Sequence, residues 1–373
     1  MSITAILDRL AAFEPTELPV LSLYLNAQSD QHGRDNFMPF VRKEFRSRQK
    51  TYPLRSPERV SFDRDTERIE KYLKDELQPS ANGLAIFACA GKDDFFEAVQ
   101  LNAPIEEHNL YVYHQPHLYP LARLYDQYRR YAVLLADTNA ARLFVFGFGE
   151  RLEGHEVKNT KVSRTSVGGW SQSRYQRHIE NYHLHHAKEV VDALDRTVRE
   201  DKVQQIILAG DEVITPVLLD QLPEHLANRV VDIMRMDMIT PEHEVLTETL
   251  ETLREKDAED DTERVQRLLD QYRAGGLGVL GVHDTLAALS QGQVDELYLS
   301  AQLEEIHAKE EDIGAPLVPG ALEEESGEET RRVLLADELV TRARQTGART
   351  IFIEDPALLG EFGGVGATLR FRL

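Results

Sequence analysis

One cysteine, one tryptophan and no long apolar run are all that 373 residues offer of three informative features. The lone thiol, Cys89, excludes an intramolecular disulfide and any zinc site built on cysteine pairs; within GLAIFACA it is expected to be a buried, inert packing residue. No window approaches the roughly 18 uninterrupted apolar residues of a membrane helix, so a soluble chain is expected. The start, Met1 to Leu10, carries acidic Asp8 and lacks the basic start, apolar stretch and small-residue site of a secretory signal, which implies a cytoplasmic protein. Positive charge is scarce too, with 43 Lys and Arg against 64 Asp and Glu and a formal net charge of −21. That excludes a chain that coats nucleic acid by bulk electrostatics and makes each local cluster of cations informative. No Walker phosphate loop or nucleophile elbow is present, so any nucleotide hydrolysis belongs to a partner.

What is present is an alternation of β and α patterns in three stretches, and the expected fold class is α/β, with three consecutive α/β domains. Residues 1–128 form the first. LPVLSLYLN (Leu18 to Asn26) reads as a strand, Asn36 to Lys50 as a helix rich in Arg and Lys, Asp63 to Leu77 as a charged helix, and GLAIFACA as a strand after a Pro/Asn/Gly turn. Residues 129–240 form the second. RYAVLLADTNAARLFVFGFGE (Arg130 to Glu150) reads as a β-hairpin about an Asp-Thr-Asn-Ala turn, followed by a polar loop, a long helix from about Ser173 to Glu200, and QQIILAG (Gln204 to Gly210) as a buried parallel strand. Residues 241–373 form the third, a three-layer sandwich. It opens with a long, highly charged helix from Pro241 to Arg273, read as exposed, and holds an acidic Pro/Gly-containing insertion from Glu304 to Glu329. Two further features are surface candidates: the acidic stretch Glu323 to Glu329 for a partner contact, and the basic helix Arg42 to Lys50 for an RNA contact or simply a solvated face.

Chemistry concentrates in the loop before the long helix. Lys158, Lys161, Arg164, Arg174 and Arg177 lie around Gly168-Gly169-Trp170-Ser171-Gln172 in an otherwise acidic protein. Paired glycines allow a backbone to approach another surface closely, and flanking cations suit phosphates. Arg174 and Arg177, three residues apart, share a face of the helix, whose N-terminus favours anions. A flexible glycine loop with solvated charges is the plain alternative.

Gly-Gly with a nearby Gln, then Arg-x-x-Arg on a long helix, then a strand ending Leu-Ala-Gly, resembles the central domain of the archaeal and eukaryotic class-I release factor and Pelota superfamily. The resemblance covers most of the chain: LSLYLN and ANGLAIFACAG resemble strands of its first domain, GGLGVLGVHDTLAALSQGQVDELYLS the opening of its third, and GGVGATLRFRL its closing strand. The chain departs from the pattern at two places. Trp170 falls where release factors have Gln, with Gln172 two residues later, a form similar to the Vms-type peptidyl-tRNA-cleaving branch. The stop-codon-reading Asn-Ile-Lys-Ser is absent and LYVYHQPHLYP lacks the cysteine motif, so stop-codon reading is not implied.

The resemblance implies a factor of the ribosomal A site with rRNA of both subunits and peptidyl-tRNA as partners, no cofactor, and a translation GTPase such as EF-Tu as a delivery partner. Two activities follow from it. In the first, a peptidyl-tRNA hydrolase rescues stalled ribosomes: Gly168 and Gly169 permit entry, Gln172 positions water or the terminal ribose, and Lys158, Lys161, Arg164, Arg174 and Arg177 hold RNA phosphates. Trp170 stacks on a base, a contact worth about 1–3 kcal/mol, or anchors the loop by burial. In the second, a non-catalytic, Balon-like hibernation factor blocks the A site and shields the peptidyl-transferase centre. A nuclease or RNA adaptor of the same architecture acting elsewhere is the third possibility, since fold alone does not fix function. His178, His183, His185 and His186 invite a metal reading, but no acidic or Cys ligand completes a spacing typical of zinc, and polar surface or RNA contact is the expectation.

Overall fold

Residues 3–28, 37–79, 81–101, 105–127, 130–147, 150–158, 172–307 and 328–372 are described by a computed structural model. They fall into two compact units, one made of Met1–Gln127 with Ala258–Leu373 and one of Tyr128–Asp257. Among the described residues, no helix is long and apolar enough to cross a membrane.

The first stretch begins with α1 (Ile3–Ala11), whose Ile6, Leu7 and Leu10 recur at helical spacing and are buried. Strand β1 (Val20–Asn26) follows, then α2 (Phe37–Gln49) and α3 (Pro57–Asp75), the latter capped by Ser56, whose hydroxyl accepts from Arg59 N. Strands β2 (Gly83–Cys89), β3 (Phe95–Leu101) and β4 (Asn109–Tyr113) complete an antiparallel sheet in the order β3-β2-β1-β4, and α4 (Tyr119–Gln127) closes the stretch. β1 and β2 are central and almost entirely buried, which explains why their sequences are continuous apolar runs. Phe37, Val41 and Phe45 of α2 pack with Phe62 and Ile69 of α3 on this sheet. Cys89 is buried, as its apolar setting implies.

The unit Tyr128–Asp257 contains the expected hairpin, β5 (Tyr131–Ala136) against β6 (Ala140–Gly147). Its turn is closed by Asp137, whose Oδ1 accepts from Asn139 N and Ala140 N, both at 2.7 Å. The polar segment after it is not all loop: β7 (Glu150–Lys158) adds an edge strand to β6. Helix α5 (Gln172–Glu200) returns to β8 (Gln205–Gly210), which pairs in parallel with β5, and α6 (Ile214–Gln221), α7 (Glu224–Ala227) and β9 (Val230–Met234) finish a sheet of order β7-β6-β5-β8-β9. Gly210 is required where it stands, because a Cβ there would lie 2.0 Å from Ala136 O.

Helix α8 (Glu242–Arg273) is long, as expected, but the expectation that it is exposed is wrong. Its first half buries Val245 and Leu253 against Tyr131, Phe144 and Ile207, and its second half buries Val265 and Leu268 against Leu280, Tyr298 and Ile351. The last stretch comprises β10 (Gly278–Leu280), α9 (Val282–Ser290), β11 (Val294–Ser300), α10 (Glu328–Thr346), β12 (Arg349–Ile353) and β13 (Val365–Leu369), with strand order β10-β13-β11-β12. α8 covers the sheet face bearing Leu280, Tyr298 and Ile351. The opposite-facing Leu297 and Leu299 are buried, as are Leu286 and Leu289 of α9 and Leu339 of α10, which gives the helix–sheet–helix layering of a three-layer sandwich. The acidic stretch Glu323 to Glu329 lies outside the described residues up to 327 and enters α10 at its end.

Within the same unit, the two stretches are joined through Asp337 of α10. Its carboxylate accepts from Leu118 N at 2.8 Å and Tyr119 N at 3.0 Å, capping α4, and from the Nδ1 of buried His117. Tyr24 Oη donates to His117 O at 2.5 Å and Tyr119 Oη to Ser300 O at 2.6 Å, while the buried His117 Nε2 has no hydrogen-bond partner among the described residues.

Candidate nucleic-acid and ester-facing loop

The loop chosen by its sequence is attached to two described elements, and their geometry sets where it is carried. Helix α5 buries Ala187, Val190, Val191, Leu194 and Val198 against Ala132, Leu134 and Val145. These positions repeat at three and four residues, the stripe an amphipathic helix lays on a sheet. Near one end of β5, Arg130 Nη1 donates to Asp201 O at 3.0 Å; at the other, His186 Nε2 lies 3.2 Å from Asp137 O. The helix therefore runs antiparallel along the strand, and residues 186–201 of helix and 130–137 of strand each span about 22 Å.

Above that contact α5 continues from His186 back to Gln172. Those turns add about 20 Å of helix past the β5–β6 turn. β7 ends at the same turn, since its last residue, Lys158, pairs with Ala140.

The expected site residues distribute as follows. Lys158 is the last residue of β7, Gln172 is the first residue of α5, and Arg174 and Arg177 lie in its first two turns. Gln172 therefore belongs to the helix start, where the first backbone N–H groups have no intrahelical acceptor and the helix dipole favours negative charge. Lys161, Arg164, Gly168, Gly169 and Trp170 lie outside the described residues.

Two of the histidines of α5 have partners of their own. The His186 ring faces the Asp137 carbonyl, and exposed His185 pairs with Glu189 at 3.5 Å. Among the described residues, no group of three or more His, Cys, Asp and Glu side chains is placed to hold a metal ion. At the opposite end of α5, Asp195 accepts from His225 Nε2 at 2.7 Å and from Arg199, and these bonds hold its carboxyl below the usual range. This cluster sits alongside the C-terminal part of the buried stripe and is no part of the loop. Two arrangements had no local signal in the sequence: the projection of α5, which depends on where β5 ends, and the His117–Asp337 pair, whose members are 220 residues apart.

Residues 116–254 match the family described as bacterial archaeo-eukaryotic release factor family 10, and residues 258–373 match eRF1 domain 3. No curated protein matches the chain. An archaeal translation termination factor, aRF1, is 16% identical over 99% of this chain and 97% of that one, with a TM-score of 0.28. Ribosome-bound archaeal Pelota is 15% identical over 100% and 95%, with a TM-score of 0.41. Dom34 of S. cerevisiae, a translation termination-like factor interacting with Hbs1, is 11% identical over 78% and 84%, with a TM-score of 0.42. The two family matches nearly adjoin and together take in more than half of the chain, which is a bacterial archaeo-eukaryotic release factor-like protein.

Proposed function

We propose that this protein enters the ribosomal A site and uses the 159–171 loop to promote hydrolysis of the peptidyl-tRNA ester on stalled ribosomes, without reading a stop codon. The observation that carries the reading is the extension of α5, which runs about 20 Å from His186 back to Gln172 past the β5–β6 turn and is directly preceded in sequence by a Gly-Gly segment with cations on both flanks. A narrow projection of that length suits a reacting bond at the bottom of a recess.

The ester is attacked by water. The water oxygen bonds to the peptidyl carbonyl carbon, the bond to the ribose oxygen breaks, and the proton passes to that oxygen, giving a free peptide acid and deacylated tRNA. The protein's part is to place the water and donate to the developing oxyanion. Backbone N–H groups at Gly168 and Gly169 and at the start of α5 supply donors, and the Gln172 side chain positions water or the ribose. Lys158, Lys161, Arg164, Arg174 and Arg177 neutralise RNA phosphates, and Trp170 stacks on a base. Delivery by a translation GTPase such as EF-Tu fits a chain that carries no nucleotide-binding loop of its own.

A second reading rests on one residue: Trp170 occupies the place where release factors have Gln. A loop that blocks the peptidyl-transferase centre without cleaving the ester, as a hibernation factor would, needs no Gln there. Release of labelled peptide from purified ribosome·peptidyl-tRNA complexes separates the two. Hydrolysis requires release that is lost in Gln172→Ala and in Gly168→Val/Gly169→Val while co-sedimentation with ribosomes persists. Sedimentation without release by the unaltered protein favours blocking, and neither activity overturns the ribosomal assignment.

A further inference from the structure

We infer that the exposed face of α2 is a second, separate contact for an RNA phosphodiester backbone. Phe37, Val41 and Phe45 turn one face of this helix into the core. The other face carries Arg42 and Arg46 one four-residue step, or about 6 Å, apart along the axis, and Lys50 follows four residues on, just past the helix end. Pro39, Lys43 and Ser47 form the adjacent row, and the six residues surround one shallow depression. All four cations are exposed.

Their electrostatics set them apart from their neighbours. On α3 the arginines are matched: Arg59 with Asp63 at 3.0 Å, Arg64 with Asp94 at 3.3 Å and Arg68 with Asp94 at 3.0 Å. Among the described residues, Arg42, Lys43, Arg46 and Lys50 have no such carboxylate partner. Like charges one turn apart destabilise a helix by a few tenths of a kcal/mol per pair. The helix C-terminus offsets this for Arg46 and Lys50 but does not reach Arg42 and Lys43, which stand in the first half of the helix. A row of cations without carboxylate partners among the described residues, in a chain of net charge −21, is complementary to a regular row of anions supplied from outside.

The choice of RNA rests on the ribosomal reading above, whereas the contact itself does not involve the 159–171 loop. The two are tested separately by using ribosome-free RNA. Binding of a fluorescent RNA hairpin to the full chain is followed by anisotropy across a salt series for the unaltered protein, for Arg42→Gln/Arg46→Gln, and for Arg64→Gln/Arg68→Gln, which removes the same charge from matched positions. The α2 variant is expected to bind roughly tenfold more weakly at low salt, with a log–log salt slope shallower by about 2, while melting no lower than the unaltered protein. The α3 variant is expected to change the slope by less than half as much. Equal effects of the two variants, or none, would overturn the inference. So would a face that binds polyglutamate in preference to the hairpin, since that assigns it to an acidic protein partner.

Discussion

His117 Nδ1 lies 2.8 Å from one Asp337 carboxylate oxygen and 2.9 Å from the other, with both side chains fully buried and 220 residues between them. Asp337→Ala would strand the imidazole and the N–H groups of Leu118 and Tyr119 without an acceptor. A loss of about 3–5 kcal/mol is expected, as when one partner of a buried pair is removed. Asp337→Asn keeps an oxygen for the two N–H groups and is expected to lose clearly less. Urea unfolding of the full chain measures both, and unchanged midpoints would contradict this role.

Asp65 provides a pH-dependent term in the same unit. Burial raises its carboxyl from the usual range to about 7, against the opposing bonds from Ala90 N at 2.8 Å and Ser61 Oγ at 3.4 Å. The folded state therefore holds a proton that the unfolded chain releases near pH 4, and stability falls as pH rises from about 4 to about 7. Above that window the contribution is lost in full, by about 2–4 kcal/mol. Asp65→Asn retains the acceptor for Ala90 N and cannot ionise. It is expected to flatten the slope between pH 5 and 8 and to be the more stable protein at pH 8; a slope equal to that of the unaltered chain would rule Asp65 out as its source.

The reach of α5 can be shortened without rotating its tip. Removing residues 178–184 takes out close to two turns, so Gln172, Arg174 and Arg177 keep their bearing while the tip retreats by about 10 Å. The buried stripe from Ala187 onward is untouched, and thermal unfolding of the Tyr128–Asp257 unit is expected to stay near its original midpoint. Peptide release is expected to drop at least about a hundredfold, since smaller misplacements already cost that much. Full activity in the shortened protein would show that the projection has no part in the reaction.

Legibility followed burial. β1, β2, β5 and β8 stand out as apolar runs because each is a central strand with both faces covered. β7 did not, because an edge strand with one neighbour can be as polar as Glu150-Arg-Leu-Glu-Gly-His-Glu-Val-Lys158 and still pair. α8 misled for a different reason. Its two halves bury apolar residues against different sheets, Val245 and Leu253 on one and Val265 and Leu268 on the other, so no single stripe runs its length. At the site, composition and spacing marked Gly168, Gly169 and the cations, but the start of α5 at Gln172 and its extension past Asp137 depend on the strand beside it.

The most direct test of the central claim is where the loop lies on the ribosome. Cys89 is the chain's single cysteine and is buried, so Trp170→Cys places one further thiol in the 159–171 segment for an iron chelate that cleaves nearby RNA. With the labelled protein bound to ribosomes carrying peptidyl-tRNA, cleavage is expected in large-subunit RNA at the peptidyl-transferase centre and at the acceptor end of the tRNA. Cleavage confined to other sites, with the protein bound, would contradict the account whatever activity the loop possesses.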